Sequence, residues 1–317
     1  VQRAPDLPSY LQGILDDQPT PGRFILTGSA NFALLANVGQ SLAGRTGLLT
    51  LLPLAFDEVR RFPAPPAELS ATLWHGTYPA IYDRDLEPSD WYAAYVANYV
   101  ERDVRQIINV TDLSAFQTFL RMCAGRCAQL VNLSALAADC GITHNTARAW
   151  LSVLEASYIA FRLPPFHANL TSRLVKTPKL HFFDPGLCCY LLGVMEPEQL
   201  RSHPLRGPLF ETWVVSEIYK RRVHTGLPPA LSFYRDTKGL EVDVIVEGAR
   251  CLTAVETKSG QTVAADFFRS LEKFRLRLKN DALQRSVDGF VVYGGHDPQR
   301  RGELTILPWH AVAKNDW

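Results

Sequence analysis

The chain has 317 residues, 47% of them hydrophobic, with 33 Lys plus Arg against 32 Asp plus Glu for a net charge of +1. That length suits two or three domains, the hydrophobic share excludes a disordered chain, and the charge balance excludes a uniformly basic, histone-like protein. No window approaches the roughly 20 apolar residues of a membrane span, so no membrane partner is expected. Cys123, Cys127, Cys140, Cys188, Cys189 and Cys251 form no CxxC pair and read as reduced thiols of a cytoplasmic protein rather than a disulfide scaffold or a zinc set. The chain opens on Val1 rather than Met, which reads as the interior of a longer gene product or the result of processing.

In chain order, Pro5 suits a first turn and Leu7, Tyr10, Leu11, Ile14 and Leu15 share a stripe, predicting a helix over 5–17. Phe24 to Thr27 reads as a buried strand ending on Gly28-Ser29, followed by a helix over 31–41 and a second strand over 48–52. This strand–helix–strand order predicts a parallel α/β layer, too small to close a core by itself. Pro63-Ala64-Pro65-Pro66 marks a linker, and helices are predicted over 89–109 and 114–130. A short helix at 136–139, a break at Gly141 and a Thr143-capped helix over 145–157 make a helix-turn-helix signal. Strands at 158–163 and 179–183 complete a winged-helix pattern. It would show His144, Arg148 and Ser152 on the open side of its second helix and Arg173, Lys176 and Lys179 between the strands. A tri-helical packing module with a hairpin satisfies the same pattern.

Charge supports a division along the chain. Residues 1–100 carry a net −4, residues 101–180 a net +4 and residues 201–280 a net +5. Nucleic-acid contact in the later parts would produce this asymmetry, and so would scattered surface charge. From Gly207 the pattern is a helix over 208–222, strands at 231–235, 240–246 and 251–258, an amphipathic helix over 264–278 and a core strand at 289–293.

The strongest chemical signal is Glu241-Val242-Asp243 with Glu256-Thr257-Lys258. Residues two apart on a strand share a face. A symmetric turn over 247–250 would set Glu241 opposite Glu256 and Asp243 opposite Ala254, with all four charges on one face and Val242, Val244, Val246 and Val255 on the other. Asp243 and Glu256 would then share a hard cation, Mg2+ or Mn2+, with Lys258 orienting a water or neutralising charge. A solvated strand face is the alternative. Glu211 and Glu217 on the preceding helix are six apart and share a face poorly, and Glu211 is the one expected to support the site.

The helix–strand–strand(Glu-x-Asp)–strand(Glu-x-Lys)–helix–strand order resembles the PD-(D/E)xK restriction-endonuclease-like superfamily, with Asp243, Glu256, Lys258 and Glu211 at the matching positions. The whole chain resembles prokaryotic AAA-type ATP-binding proteins carrying such a domain of unknown function at their C-terminus. That resemblance rests on Val1-Gln-Arg-Ala-Pro5, Ile25-Leu-Thr-Gly-Ser29, Leu42-Ala-Gly-Arg45, Leu52-Pro-Leu-Ala-Phe56, Lys179 to Leu187 and Phe233-Tyr-Arg-Asp236. It implies that Ser29 or Asn31 is a nucleotide sensor and that Arg45 is a finger or sensor arginine, with a plain surface charge the other reading of Arg45. No GxxxxGK[ST] occurs in the sequence.

The implied fold class is α/β and α+β multidomain. Residues 1–62 would be a remnant of an AAA-type core with a partial P-loop layer, and 63–112 a helical linker. Residues 113–200 would form a winged helix, and 201–317 a restriction-endonuclease-like αβββαβ domain. The implied function is the C-terminal portion of an AAA-type ATP-binding protein, binding DNA or a partner, without ATPase activity of its own. A Mg-dependent nuclease acting on DNA is the alternative. ATP enters only where a missing N-terminal part is supplied, and that part or a second copy of the chain is an expected partner beside DNA.

Overall fold

The computed structural model describes residues 6–18, 20–27, 42, 44–47, 49–100, 112–166, 175–278 and 285–317. It mixes helix and sheet. Helix α1 (Leu7–Asp17) carries Pro8 in its first turn and buries Leu11, while Tyr10 and Ile14 face outward. The strands expected at 24–27 and 48–52 do not form at any described position. Ile25 is 88% exposed, and Leu49 and Leu51 are each 90% exposed. Among the described residues no strand lies beside them, so their backbone groups have no ladder to join. Ser29, Asn31 and the helix expected over 31–41 lie outside the described residues. Arg45 is half-exposed and its Nε donates to Asp16 Oδ1 at 2.6 Å, tying the segment to α1.

Short helices follow: α2 (Phe56–Val59), α3 (Leu69–His75), α4 (Pro79–Asp83) and α5 (Pro88–Tyr95). The helix expected over 89–109 starts at Pro88 and passes at Val96–Val100 into a π-helical turn. Residues 101–111 lie outside the description.

Helix α6 (Leu113–Ala124) is capped by Asp112, whose side chain accepts from the Ala115 N–H. It ends well before residue 130. Ala128 adopts a left-handed φ of 57°, which reverses the chain into strand β1 (Gln129–Leu130). Helix α7 (Leu133–Asp139) is capped by Asn132, and α8 (His144–Ala156) by Thr143, whose Oγ1 accepts from Thr146 N at 3.1 Å. Strands β2 (Ala160–Leu163) and β3 (Lys179–Phe182) pair antiparallel, and the sheet order is β1-β3-β2. Helix α9 (Pro185–Leu191), absent from the sequence reading, begins on an Asp184 cap with Pro185 in its first turn. Helix α10 (Arg206–His224) is buried around most of its circumference, from Leu209 to Lys220.

The C-terminal strands are β4 (Leu231–Arg235), β5 (Glu241–Glu247) and β6 (Cys251–Lys258), close to expectation. A 3-10 turn at Ala265–Phe268 leads into α11 (Arg269–Leu278), and β7 (Ser286–Tyr293) follows. Two further strands were not anticipated, β8 (Gln299–Arg301) and β9 (Leu304–Pro308). The described sheet runs β4-β5-β6-β7-β9-β8, with β6–β7 and β7–β9 parallel. The exposed Gln299-Arg300-Arg301 edge strand is short and charged, which discourages further pairing.

The sheet separates two cores. On one side Val244, Val246 and Val255 join Phe210, Trp213 and Val214 of α10 and a cluster that reaches Phe116 and Trp150 of the middle helices. On the other, Val242, Ile245, Leu252 and Ala254 pack against Leu271, Phe274 and Leu278 of α11.

A buried polar network joins four stretches of chain beneath the larger core. The Asp184 carboxylate accepts from Thr77 N at 2.5 Å, Thr77 Oγ1 at 3.0 Å, Tyr92 Oη at 2.7 Å and Leu187 N at 2.6 Å. Gly76, at φ 71°, lets the chain pass there: a Cβ on it would sit 2.0 Å from Tyr92 Oη. Lys220 Nζ donates to Leu54 O, Thr77 Oγ1 and Glu217 Oε1, and Glu217 Oε2 accepts from Phe56 N at 2.8 Å. Leu54–Phe56, the α3–α5 region, the start of α9 and α10 are thereby held through buried charges.

Candidate carboxylate–lysine site

The β5–β6 ladder sets Val244 opposite Val255 and Glu247 opposite Leu252. This register is shifted by two residues from the expected one, because the reversal is tighter. Gly248 N donates to Cys251 O, leaving only Ala249 and Arg250 in the loop. A shift of two keeps the face of every side chain. A second departure does not. Between the pairs Ser232–Ile245 and Tyr234–Val242, β4 holds one residue and β5 holds two, Asp243 and Val244. This β-bulge moves Val242 into the α11 core, correcting its expected place with Val244, and re-aims Asp243 where β5 leaves the β6 ladder.

Asp243 sits in that gap. Its Oδ2 accepts from Thr257 N at 2.7 Å and Thr257 Oγ1 at 2.8 Å, and its Oδ1 lies 4.0 Å from Lys179 Nζ. Lys179 Nζ also reaches Glu211 Oε1 at 2.7 Å and Glu241 Oε1 at 2.5 Å. Glu241 makes a further contact with Arg235 at 3.4 Å. Glu256 Oε1 accepts from Lys258 Nζ at 2.8 Å. Its Oε2 is buried with no partner among the described residues. The structure thus brings Asp243, Glu256, Lys258 and Glu211 together. Glu217, the other acid of that helix, is spent on Lys220 and the Phe56 amide.

Lys179 was misplaced by the sequence reading. It is 2% exposed, not on an open wing, and supplies the counter-charge that had been assigned to a metal. Burial works against its charge, but Glu211, Asp243 and Glu241 outweigh burial and hold its amine above the ordinary lysine value. One lysine cannot neutralise three carboxylates. Burial, and next the charge of Asp243, push the Glu211 carboxyl well above the usual range.

Burial and then Asp243 also push Glu256 up to about 8, against the pull of Lys258. The folded protein therefore binds a proton more tightly than the unfolded chain. The stability this proton contributes is fully present below about pH 4.5 and is lost as the pH rises through about 8. The melting temperature is expected to fall between pH 6 and pH 9, and Glu256→Gln should flatten that fall. A Gln variant with an unchanged slope would contradict it.

On the middle unit, Arg148 and Lys176 are exposed, as are Asn145 and Ser152. His144 is half-buried rather than open, and Arg173 lies outside the described residues. His144 lines a groove of roughly 530 Å³ with Leu130, Asn132, Ser134 and Thr177, between β1 and the starts of α7 and α8. Among the described residues, no three His, Cys, Asp or Glu side chains converge as a metal-holding group. No described helix is long and apolar enough to cross a membrane.

Comparison with known proteins matches three consecutive stretches. Residues 1–60 match an AAA domain, residues 67–198 a domain of unknown function (DUF8612) and residues 206–312 another (DUF4143). An uncharacterized protein of Mycobacterium bovis and one of Mycobacterium tuberculosis are each 29% identical over 250 residues, which is 78% of this chain and 54% of each relative. The chain spans about half the length of these curated relatives, and no solved structure matches it. The chain is thus similar, segment by segment, to an AAA domain followed by two domains of unknown function.

Proposed function

We propose that this chain is the DNA-binding portion of an AAA-type ATP-binding protein, with no ATPase activity of its own. The AAA match gives the class, and no GxxxxGK[ST] phosphate cradle occurs in the sequence. One observation carries the DNA reading. The order α6-β1-α7-α8-β2-β3, with the sheet order β1-β3-β2, supports a winged-helix reading, in which the second helix-turn-helix member turns Asn145, Arg148 and Ser152 outward. Lys176 stands exposed beside the β2–β3 connection, the position of a wing. A lone Arg and a lone Lys are better suited to phosphates than to base edges, so binding would be weak and nearly independent of sequence. Fluorescence anisotropy with duplex DNA at low salt tests this. Arg148→Ala with Lys176→Ala should weaken binding several-fold and reduce the salt dependence by about one released ion per lost contact. Unchanged affinity in the double variant would make the unit a packing module.

A second reading is favoured by the buried, unpartnered Oε2 of Glu256 beside Asp243. Such an atom fits a cation ligand, and Mg2+ or Mn2+ commonly takes one or two protein carboxylates plus phosphate oxygens. Asp243 and Glu256 would hold the ion, which would activate water and neutralise a phosphate during DNA cleavage of the PD-(D/E)xK type. Lys258 would orient the water, Glu211 would keep Lys179 in place, and the Thr257 amide fixes the Asp243 carboxylate. Mn2+ should raise the melting temperature, by about 2.7 kcal/mol of stability at a hundredfold excess over its dissociation constant. Asp243→Asn should remove that gain, and Lys258→Ala should spare it while removing any cleavage. A gain that survives Asp243→Asn would place the ion elsewhere.

A further inference from the structure

The carboxylates of this site and its principal cation belong to different parts of the fold. Glu211 lies on α10, and Glu241 and Asp243 on β5, whereas Lys179 begins β3 of the three-stranded sheet. Its amine lies 2.5 Å from Glu241, 2.7 Å from Glu211 and 4.0 Å from Asp243. With 2% of its surface exposed, it has little contact with solvent. Of the two carboxylates that would hold a divalent cation, this fixed ammonium lies near one, Asp243, at 4.0 Å. Lys258 does not duplicate it, since that amine sits on Glu256.

We propose that Lys179 is an intramolecular counter-ion that weakens divalent-cation binding at the carboxylate site through its charge beside Asp243. The inference rests on the divalent-cation reading above. With Lys179 in place the Glu211–Glu241–Asp243 group is partly compensated, and an incoming cation meets a like charge beside Asp243. Without that ammonium, Asp243 loses a nearby positive charge and the affinity of the site for a divalent cation rises. Lys179 is on this view a positioning residue that holds no metal itself.

The test is Mn2+ binding to the full chain by calorimetry, for the wild type and for Lys179→Met, Lys179→Arg and the double variant Lys179→Met/Glu241→Gln. The double variant removes one charge of each sign and keeps side-chain volume, so it guards against a misfolded single variant. It leaves Asp243 and Glu256 intact. Both Met-containing variants should bind Mn2+ at least tenfold more tightly than the wild type, and Lys179→Arg should stay within about threefold of it. A merely structural lysine would give no such split between Met and Arg. Equal Mn2+ affinity in the wild type and the folded Met-containing variants would overturn the inference and leave the cation reading standing. No Mn2+ binding in any of the proteins would remove the cation reading itself and the inference with it.

Discussion

Lys179→Met is expected to lower stability by about 3–5 kcal/mol, the cost of removing one partner from a buried ion pair. The side chain is enclosed, and Glu211 and Glu241 lie within 2.7 Å of its amine. Without it, Glu211, Glu241 and Asp243 repel one another in a poorly hydrated place and must take up protons to relax. The loss should therefore be larger at pH 9 than at pH 5, since acid supplies those protons. For a chain of this size the melting temperature should drop by on the order of 10 °C at neutral pH. Thermal unfolding followed by circular dichroism across that pH range measures it. A drop of under about 2 °C, or one independent of pH, would mean that the acids do not depend on this lysine.

Asp184→Ala should cost about as much for a different reason. Its carboxylate receives the N–H and hydroxyl of Thr77, the Tyr92 hydroxyl and the Leu187 N–H, all buried. Burial raises its carboxyl above the usual range, and the hydrogen bonds from Tyr92, Leu187 and Thr77 together with Lys220 pull it back. Removing the acceptor leaves several donors unsatisfied at about 1–3 kcal/mol each, so a loss of about 3–5 kcal/mol is expected even after some relaxation. The Asp184 cap of α9 is lost with it. Proteolysis should then open the 75–95 region and α9 together, because the same carboxylate holds both. An Asp184→Ala protein as stable as the wild type would show that water replaces the carboxylate at no cost.

Much of the C-terminal domain was legible in the sequence because its signals are local. The alternation in Glu241 to Val246 and the Glu-x-Lys of β6 placed strands within a residue of where they lie. The expected register is off by two, since loop length cannot be read from Glu247-Gly-Ala-Arg250 alone; parity keeps the faces of the paired residues Val244 to Glu247, whereas the bulge changes the faces of the residues before them. The bulge at Asp243–Val244 leaves no mark in the sequence, because the alternation of Glu241 to Val246 reads the same bulged or paired. Strand β9 escaped notice for a related reason: Leu304-Thr-Ile-Leu-Pro308 is short and ends on proline.

Lys179 shows how one hidden element misplaces a functional residue. Gln129-Leu130 continues the helical pattern of α6, so β1 was absorbed into a helix. Without β1, β3 reads as the outer strand of an exposed hairpin and its lysine as a wing cation. With β1 in place, β3 becomes the central strand, covered on both sides, and a lysine starting it must find buried acids. The run Lys179-Leu-His-Phe-Phe183 did hold a clue, since four apolar or aromatic neighbours seldom flank a solvent-facing lysine. The strands expected at 24–27 and 48–52 failed in the opposite direction. Their apolar composition is that of buried strands, yet no described strand offers them a ladder.

The central claim is that the middle unit binds DNA through phosphate contacts. The salt dependence of duplex binding by the unaltered chain tests it most directly. Two to three phosphate contacts from Arg148, Lys176 and their neighbours predict that the logarithm of the association constant falls against the logarithm of salt with a slope of about −2 to −3. The affinity should also be nearly the same for unrelated duplexes. Undetectable binding at the lowest salt, or a slope near zero, would contradict the account.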